Sequence, residues 1–267
     1  MGWWGKVIGG TFGFMLGGPI GALIGAAVGH RFDAGRARSQ REAPAEGLDA
    51  RERAQTAFFT ATFAVMGYLA KVDGRVSADE IRVASLAMDR MGLGAEHRRV
   101  ARDLFREGKN PAFALDEVLD QLRRECRGRR DLLRLFLEIQ MQAALADGDM
   151  HAVEREALAR VAARLGLSTI ELQALEAMAR AQYHFRAQYE APRARPGPSL
   201  EDAYAILNVD PGADDAAVTR AYRRLMSQHH PDKLVSKGLP EEMIRVATEK
   251  TQEIKAAYEG IRAARGR

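Results

Sequence analysis

The chain has 267 residues, 46% hydrophobic and 28% charged, a globular balance with room for about two domains. A net charge of +4 permits contact with acidic surfaces but does not demand nucleic acid. The single cysteine, Cys126, excludes an internal disulfide framework and agrees with a reducing compartment. It lies in a charged helical stretch, QLRRECRGRR, and is expected to be an ordinary, partly buried residue.

Residues 7–28 carry no charge over 22 positions. As a helix at 1.5 Å per residue, such a run reaches about the 30 Å of a bilayer core. Gly5, Gly9, Gly13, Gly17, Gly21, Gly25 and Gly29 recur every four residues within and around it. A ladder of this period cuts a groove along one helix ridge and lets a second backbone approach closely, which favours right-handed pairing in lipid. The expectation is a single transmembrane helix that forms a homodimer, with Pro19 as a mid-run kink. Trp3 and Trp4 suit an interfacial belt, and the run is long for the apolar part of a signal peptide. His30, Arg31, Arg36, Arg38 and Arg41 follow the run, whereas Lys6 and the amino terminus precede it. The positive-inside rule then leaves a short amino terminus outside and most of the chain in the cytoplasm.

Residues 48–191 show apolar positions at helical spacing and no strand-like alternation. An internal repeat organises them, at an offset of 74 residues. Asp73-Gly74 aligns with Asp147-Gly148, Ala78 with Ala152, Glu80 with Glu154 and Gly92 with Gly166. Two matched halves predict a duplicated helical hairpin, separated by a turn at Asn110-Pro111. Ser77 and Glu80 read as a capping box, which His151 interrupts in the second half. Asp73, Glu80, Asp147 and Glu154 are the candidate metal ligands, but they lack the spacing of a calcium loop and are expected to serve turns. This segment resembles the TerB-like domain of tellurite-resistance-type proteins, which implies a helical bundle without established chemistry. A final helix over 169–190 ends in the aromatics Tyr183, Phe185 and Tyr189, and residues 192–198 form an extended, proline-rich linker.

In residues 199–267, Ser199 and Asp214 or Asp215 mark helix starts. Val218, Ala221, Tyr222, Leu225 and His229 form one buried stripe of the second helix. Arg220, Arg223 and Arg224 lie on its other side. Pro231 lacks an N–H and drives His230 out of the helical region, so the helix is expected to stop and present His230 and Asp232 on a loop. A third helix carries an a/d seam at Ile244, Ala247, Thr251, Ile254, Tyr258 and Ile261. Two antiparallel helices would hold His230-Pro231-Asp232 at the tip of a finger.

The motifs AYRRL, HPD and KAAYE, in that order, resemble a J domain. Together with the glycine-ladder helix and the TerB-like segment, they resemble the membrane-anchored J-domain co-chaperones of the DjlA type. That resemblance implies an all-α chain divided at 1–30, 31–47, 48–191, 192–198 and 199–267. It implies docking on the Hsp70 partner DnaK and stimulation of its ATP hydrolysis, in envelope-stress or capsule-related signalling. Arg220, Tyr222, Arg223, Arg224 and Lys233 would supply the docking face, and His230, Pro231 and Asp232 the trigger. Thr219 departs from the pattern, standing where many J domains carry another basic residue. No enzyme activity, cofactor or nucleic-acid partner is expected; the partners are the Hsp70, a second copy and the lipid bilayer. Two alternatives remain: a membrane-tethered stress sensor responding to metal through the acidic turns, and a nucleic-acid binder using the basic helix.

Overall fold

The computed structural model describes residues 18–29, 49–72, 85–146, 148–190 and 199–266, in which helices joined by short turns account for the structure and no strand occurs. The elements are α1 (Gly18–Gly29), α2 (Ala50–Lys71), α3 (Ala95–Gly108), α4 (Leu115–Glu125), α5 (Arg130–Ala144), α6 (Ala152–Arg164) and α7 (Thr169–Glu190). They continue with α8 (Leu200–Leu207), α9 (Asp215–His229), α10 (Pro231–Ser236), a 3-10 turn (Glu241–Met243) and α11 (Ile244–Ala264). The all-α expectation is met.

The bundle is built around α2. Asp49 caps it, its carboxylate accepting from the N–H groups of Arg51 and Glu52 at 2.7 and 2.8 Å. Phe58, Phe59 and Phe63 are fully buried on it, and Phe136 of α5 meets Phe58 edge-on at 6.1 Å. Each such ring stabilises the fold by roughly 1.5–3 kcal/mol. α3 crosses α2 at unusually close range. A Cβ at Gly67 would fall 2.0 Å from the Phe105 carbonyl oxygen, and one at Gly108 1.8 Å from that of Ala64. Reciprocal glycines therefore set this crossing.

The repeat is visible as shared geometry. Gly92 and Gly166 both take positive φ, 69° and 77°. Leu93 N–H donates back to Met88 O at 3.2 Å and Leu167 N–H to Ala162 O at 2.9 Å, the same helix-ending motif in each half. One correction concerns the second half: a capping box forms there without a serine, the His151 side chain accepting from the Glu154 N–H and the Glu154 carboxylate accepting from the His151 N–H at 2.8 Å. Ser77 and Gly74 lie outside the described residues.

The apolar amino-terminal run is described only from Gly18. Gly18 has φ 64°, and Pro19, expected as a mid-run kink, sits in the first turn of α1 instead. α1 buries Ile20 and Ile24 in the bundle core, and Ile20 N–H donates to Gln121 Oε1 at 2.9 Å. Among the described residues no helix is long and apolar enough to cross a membrane.

The last segment lies against the bundle, while the expected linker at 192–198 is outside the described residues. α8 packs directly on α7. Met178, Ala181 and Phe185 of α7 share a core with Ile206, Leu207, Leu225 and Ile254. Conversely, Leu234, Leu239, Met243 and Ala247 are buried in the bundle core. The expected stripe on α9 is confirmed: Val218, Ala221, Leu225 and His229 are buried and Tyr222 is half-buried. The seam of α11 divides its work. Ala247 faces the bundle, whereas Ile254 and Ile261 face α8 and α9.

Candidate docking site at the end of α9

α9 begins where the Asp214 carboxylate accepts from Ala217 N–H at 2.6 Å, and it ends at His229. His230 takes an extended conformation, φ −61° and ψ 124°, as the residue before a proline is expected to. The expected loop is corrected at the next residue. Pro231 opens α10 at once, with its missing N–H in the first turn where it costs nothing. His230 is both the end of α9 and the cap of α10, its Nδ1 accepting from Asp232 N–H at 3.2 Å. The tripeptide is therefore a helix-to-helix corner rather than a free fingertip, and buried Leu234 pins α10 to the bundle.

Asp232 points outward, its side chain 93% exposed, and lies 3.9 Å from His230 Nδ1, itself half-exposed. Lys233 is exposed and its ammonium donates to Ser227 Oγ. Arg223 and Arg224 are exposed with no side-chain partner among the described residues. Arg220 comes only within 4.0 Å of Asp214, with both side chains in solvent. Tyr222 stacks on Tyr258 of α11, with rings 4.2 Å apart and 10° from parallel. Thr219 Oγ1 lies 3.4 Å from the Tyr258 hydroxyl, so this departure from a basic residue serves to join the two helices. Arginines on α9 and the corner thus share an outward face, while the opposite face of α9 is packed.

The support beneath the corner has no counterpart among the sequence expectations. His229 Nε2 lies 3.7 Å from Glu138 of α5, and Lys250 Nζ of α11 lies 2.8 Å from the other carboxylate oxygen. Lys250 also donates to Gln182 Oε1 at 3.0 Å. Burial would raise the Glu138 carboxyl, but the Lys250 ammonium and His229 outweigh it and hold it below its ordinary value. Burial pushes His229 down, against the pull of Glu138, which favours a neutral ring. Around this group, Arg186 pairs with Glu253 at 2.6 Å and Lys237 with Asp131. The signal for Glu138 is present in the sequence: a lone carboxylate within LRLFLEIQM needs a buried partner. Nothing in the sequence names that partner as Lys250.

Arg265 closes the far end. Its guanidinium donates to the Tyr204 hydroxyl at 2.9 Å, Asp215 at 2.7 Å and the Ala213 carbonyl at 2.8 Å. The sequence alone offers no sign that this basic tail is a clasp.

Other sequence candidates separate. Of the metal candidates, Asp73, Glu80 and Asp147 lie outside the described residues, and Glu154 is engaged as a helix cap. Among the described residues no three metal-ligating side chains cluster. Of the glycine ladder, Gly5, Gly9, Gly13 and Gly17 lie outside the described residues. Gly21 is buried, a methyl added at Gly25 would meet open space, and Gly29 ends α1.

Comparison with known proteins now decides the family. Residues 1–39 match the Co-chaperone DjlA transmembrane domain, residues 59–177 Tellurite resistance protein TerB, and residues 202–267 the DnaJ domain. The Co-chaperone protein DjlA of Photobacterium profundum is 46% identical, covering 98% of this chain and 99% of that one. The chain belongs to the DjlA co-chaperone family. Proteins of the same name from Coxiella burnetii, 45% identical over 99% of both chains, and Vibrio cholerae, 44% identical over 98% of both, are similarly close. No solved structure matches the chain. These DjlA relatives thus align along the whole length of the chain.

Proposed function

We propose that the chain is a membrane-anchored co-chaperone that docks on an Hsp70 of the DnaK type and stimulates its ATP hydrolysis. The observation that carries this reading is the exposure of Asp232, His230, Arg223 and Arg224 on the outer side of α9 and its corner, while the opposite face of α9 is packed. Arg220, Arg223, Arg224 and Lys233 supply electrostatic attraction to an acidic surface. Exposed charges of this kind give fast, salt-sensitive encounter and little affinity each. Tyr222 stiffens the face by stacking on Tyr258. His230, Pro231 and Asp232 act as the trigger, with Asp232 competing for polar partners inside the Hsp70 and biasing its conformational equilibrium. The chain itself holds no nucleophile or phosphate loop at the corner, so the chemistry belongs to the partner.

The amino-terminal run anchors the chain in the inner membrane. Its glycine ladder pairs two copies, and the basic residues after it keep the domains at 48–191 and 199–267 on the cytoplasmic side. Envelope-stress signalling is a role that this placement would suit.

The test is a single-turnover ATPase assay of purified DnaK with the full chain. Wild type should accelerate hydrolysis, and His230→Gln and Asp232→Asn should abolish the acceleration. A wild-type chain that leaves hydrolysis at its basal rate would sink this reading, and a full response from Asp232→Asn would remove Asp232 from the trigger.

A further inference from the structure

A cleft of about 280 Å³ separates α9 from the bundle, directly beside the basic face. Leu175 and Met178 of α7 and Leu225 of α9 give it an apolar floor. Arg224 and Gln228 stand on one bank, Ile170 and Glu171 on the other. Ile170 is 78% exposed, the highest value among the large hydrophobic residues described. A single exposed apolar residue is ordinary; one placed at the mouth of an apolar cleft beside a docking face is a contact waiting for a partner.

Charge is continuous across the cleft. Glu171 receives both Arg130 and Arg134, so two guanidinium groups share one carboxylate. Asp131 is neutralised by Lys237. The far bank therefore carries surplus positive charge, as α9 does. Size makes the same point. Even a transient interface buries on the order of 500 Å² on each partner, more than a few exposed side chains of one helix and its corner supply. A body seated on α9 must continue onto its surroundings, and α7 is the neighbour on the side of Arg224. The relative placement is not left to a flexible linker, because the buried Lys250–Glu138 pair and α10 fix the last domain on the bundle.

We infer that the Hsp70-docking surface is composite: it crosses from α9 over the cleft to the first turns of α7, with Ile170 as its apolar contact. This rests on the co-chaperone reading and adds a bundle residue to it. The occupant is the Hsp70 ATPase domain itself, presenting an acidic surface with an apolar side chain that enters the cleft.

The experiment uses the full chain in detergent micelles with purified DnaK, titrated in the single-turnover assay. Ile170→Asp should raise the concentration giving half-maximal stimulation by about tenfold, and Ile170→Ala by less. Stimulation at saturation should be unchanged, because the His230 corner is intact. Val153→Asp is the control: Val153 is an exposed apolar residue of the bundle that does not line the cleft. Equal potency of wild type and Ile170→Asp, a gain in potency, or an equal loss in Val153→Asp overturns the composite surface while leaving the co-chaperone reading standing. A wild-type chain that fails to stimulate at all overturns both.

Discussion

Lys250 Nζ lies 2.8 Å from Glu138 Oε2, with the two side chains only 3% and 5% exposed. The pair joins α11 of the J domain to α5 of the TerB-like bundle, in a chain whose sequence reads as two domains joined by a proline-rich linker. Breaking it on one side leaves a buried charge without a partner. Lys250→Met should therefore weaken docking of the two domains by about 3–5 kcal/mol. Replacing both, Lys250→Met with Glu138→Leu, should recover most of that loss, because apolar side chains suit the site. Urea unfolding of the three proteins checks this; an unstable double variant would show that the pair has a role beyond mutual neutralisation.

Acid should loosen the same interface in two stages. The folded-state pKa of His229 lies below its unfolded value, so its contribution is present above about pH 6.5 and is lost as pH falls below that. Glu138 is also held below its ordinary value, so its contribution persists until pH falls beneath the usual carboxylate range. Denaturation midpoints measured between about pH 7 and pH 5 should fall for wild type and stay flatter for His229→Leu. Parallel curves for the two proteins would remove His229 as the source of the first stage.

The glycines make a separable prediction. A methyl at Gly108 would collide with the Ala64 carbonyl oxygen, at 1.8 Å, so Gly108→Ala should destabilise the bundle by roughly 1–3 kcal/mol or more. A methyl at Gly25 meets open space. Gly25→Ala should leave bundle stability alone, whereas Gly9→Ala and Gly13→Ala should weaken association of the anchor in lipid, where small residues let helices approach. Thermal melts report the first effect and cross-linking in membranes the second. A Gly108→Ala protein as stable as wild type would mean that α2 and α3 can separate without cost.

How much of the fold is legible in the sequence depends on the range of each signal. The α9 stripe and the Ser199 and Asp214 caps are encoded within one or two turns, and all appear as expected. Pro231 does stop α9, but a proline that stops one helix also suits the first turn of the next, and α10 uses it so. The partners of Glu138 are not legible, because Lys250 is 112 positions away and looks like any surface lysine of an amphipathic helix. Ile170 likewise reads as one more apolar residue of α7; only the placement of α9 opposite it makes a cleft.

Cys126 gives the last test. It is fully buried in the bundle core, and burial pushes its thiol up to about 12. Since the thiolate is the reactive form, the native protein should hold this group inert at neutral pH. The arginines of QLRRECRGRR would lower the pKa of an exposed thiol. Arg129 does act in that direction, but desolvation outweighs it. Iodoacetamide should therefore label Cys126 only as fast as the bundle opens, and Gly108→Ala should accelerate labelling in proportion to the population opened. Rapid labelling of the folded wild type, independent of denaturant, would place Cys126 outside the core and undo the packing of α4 against α2.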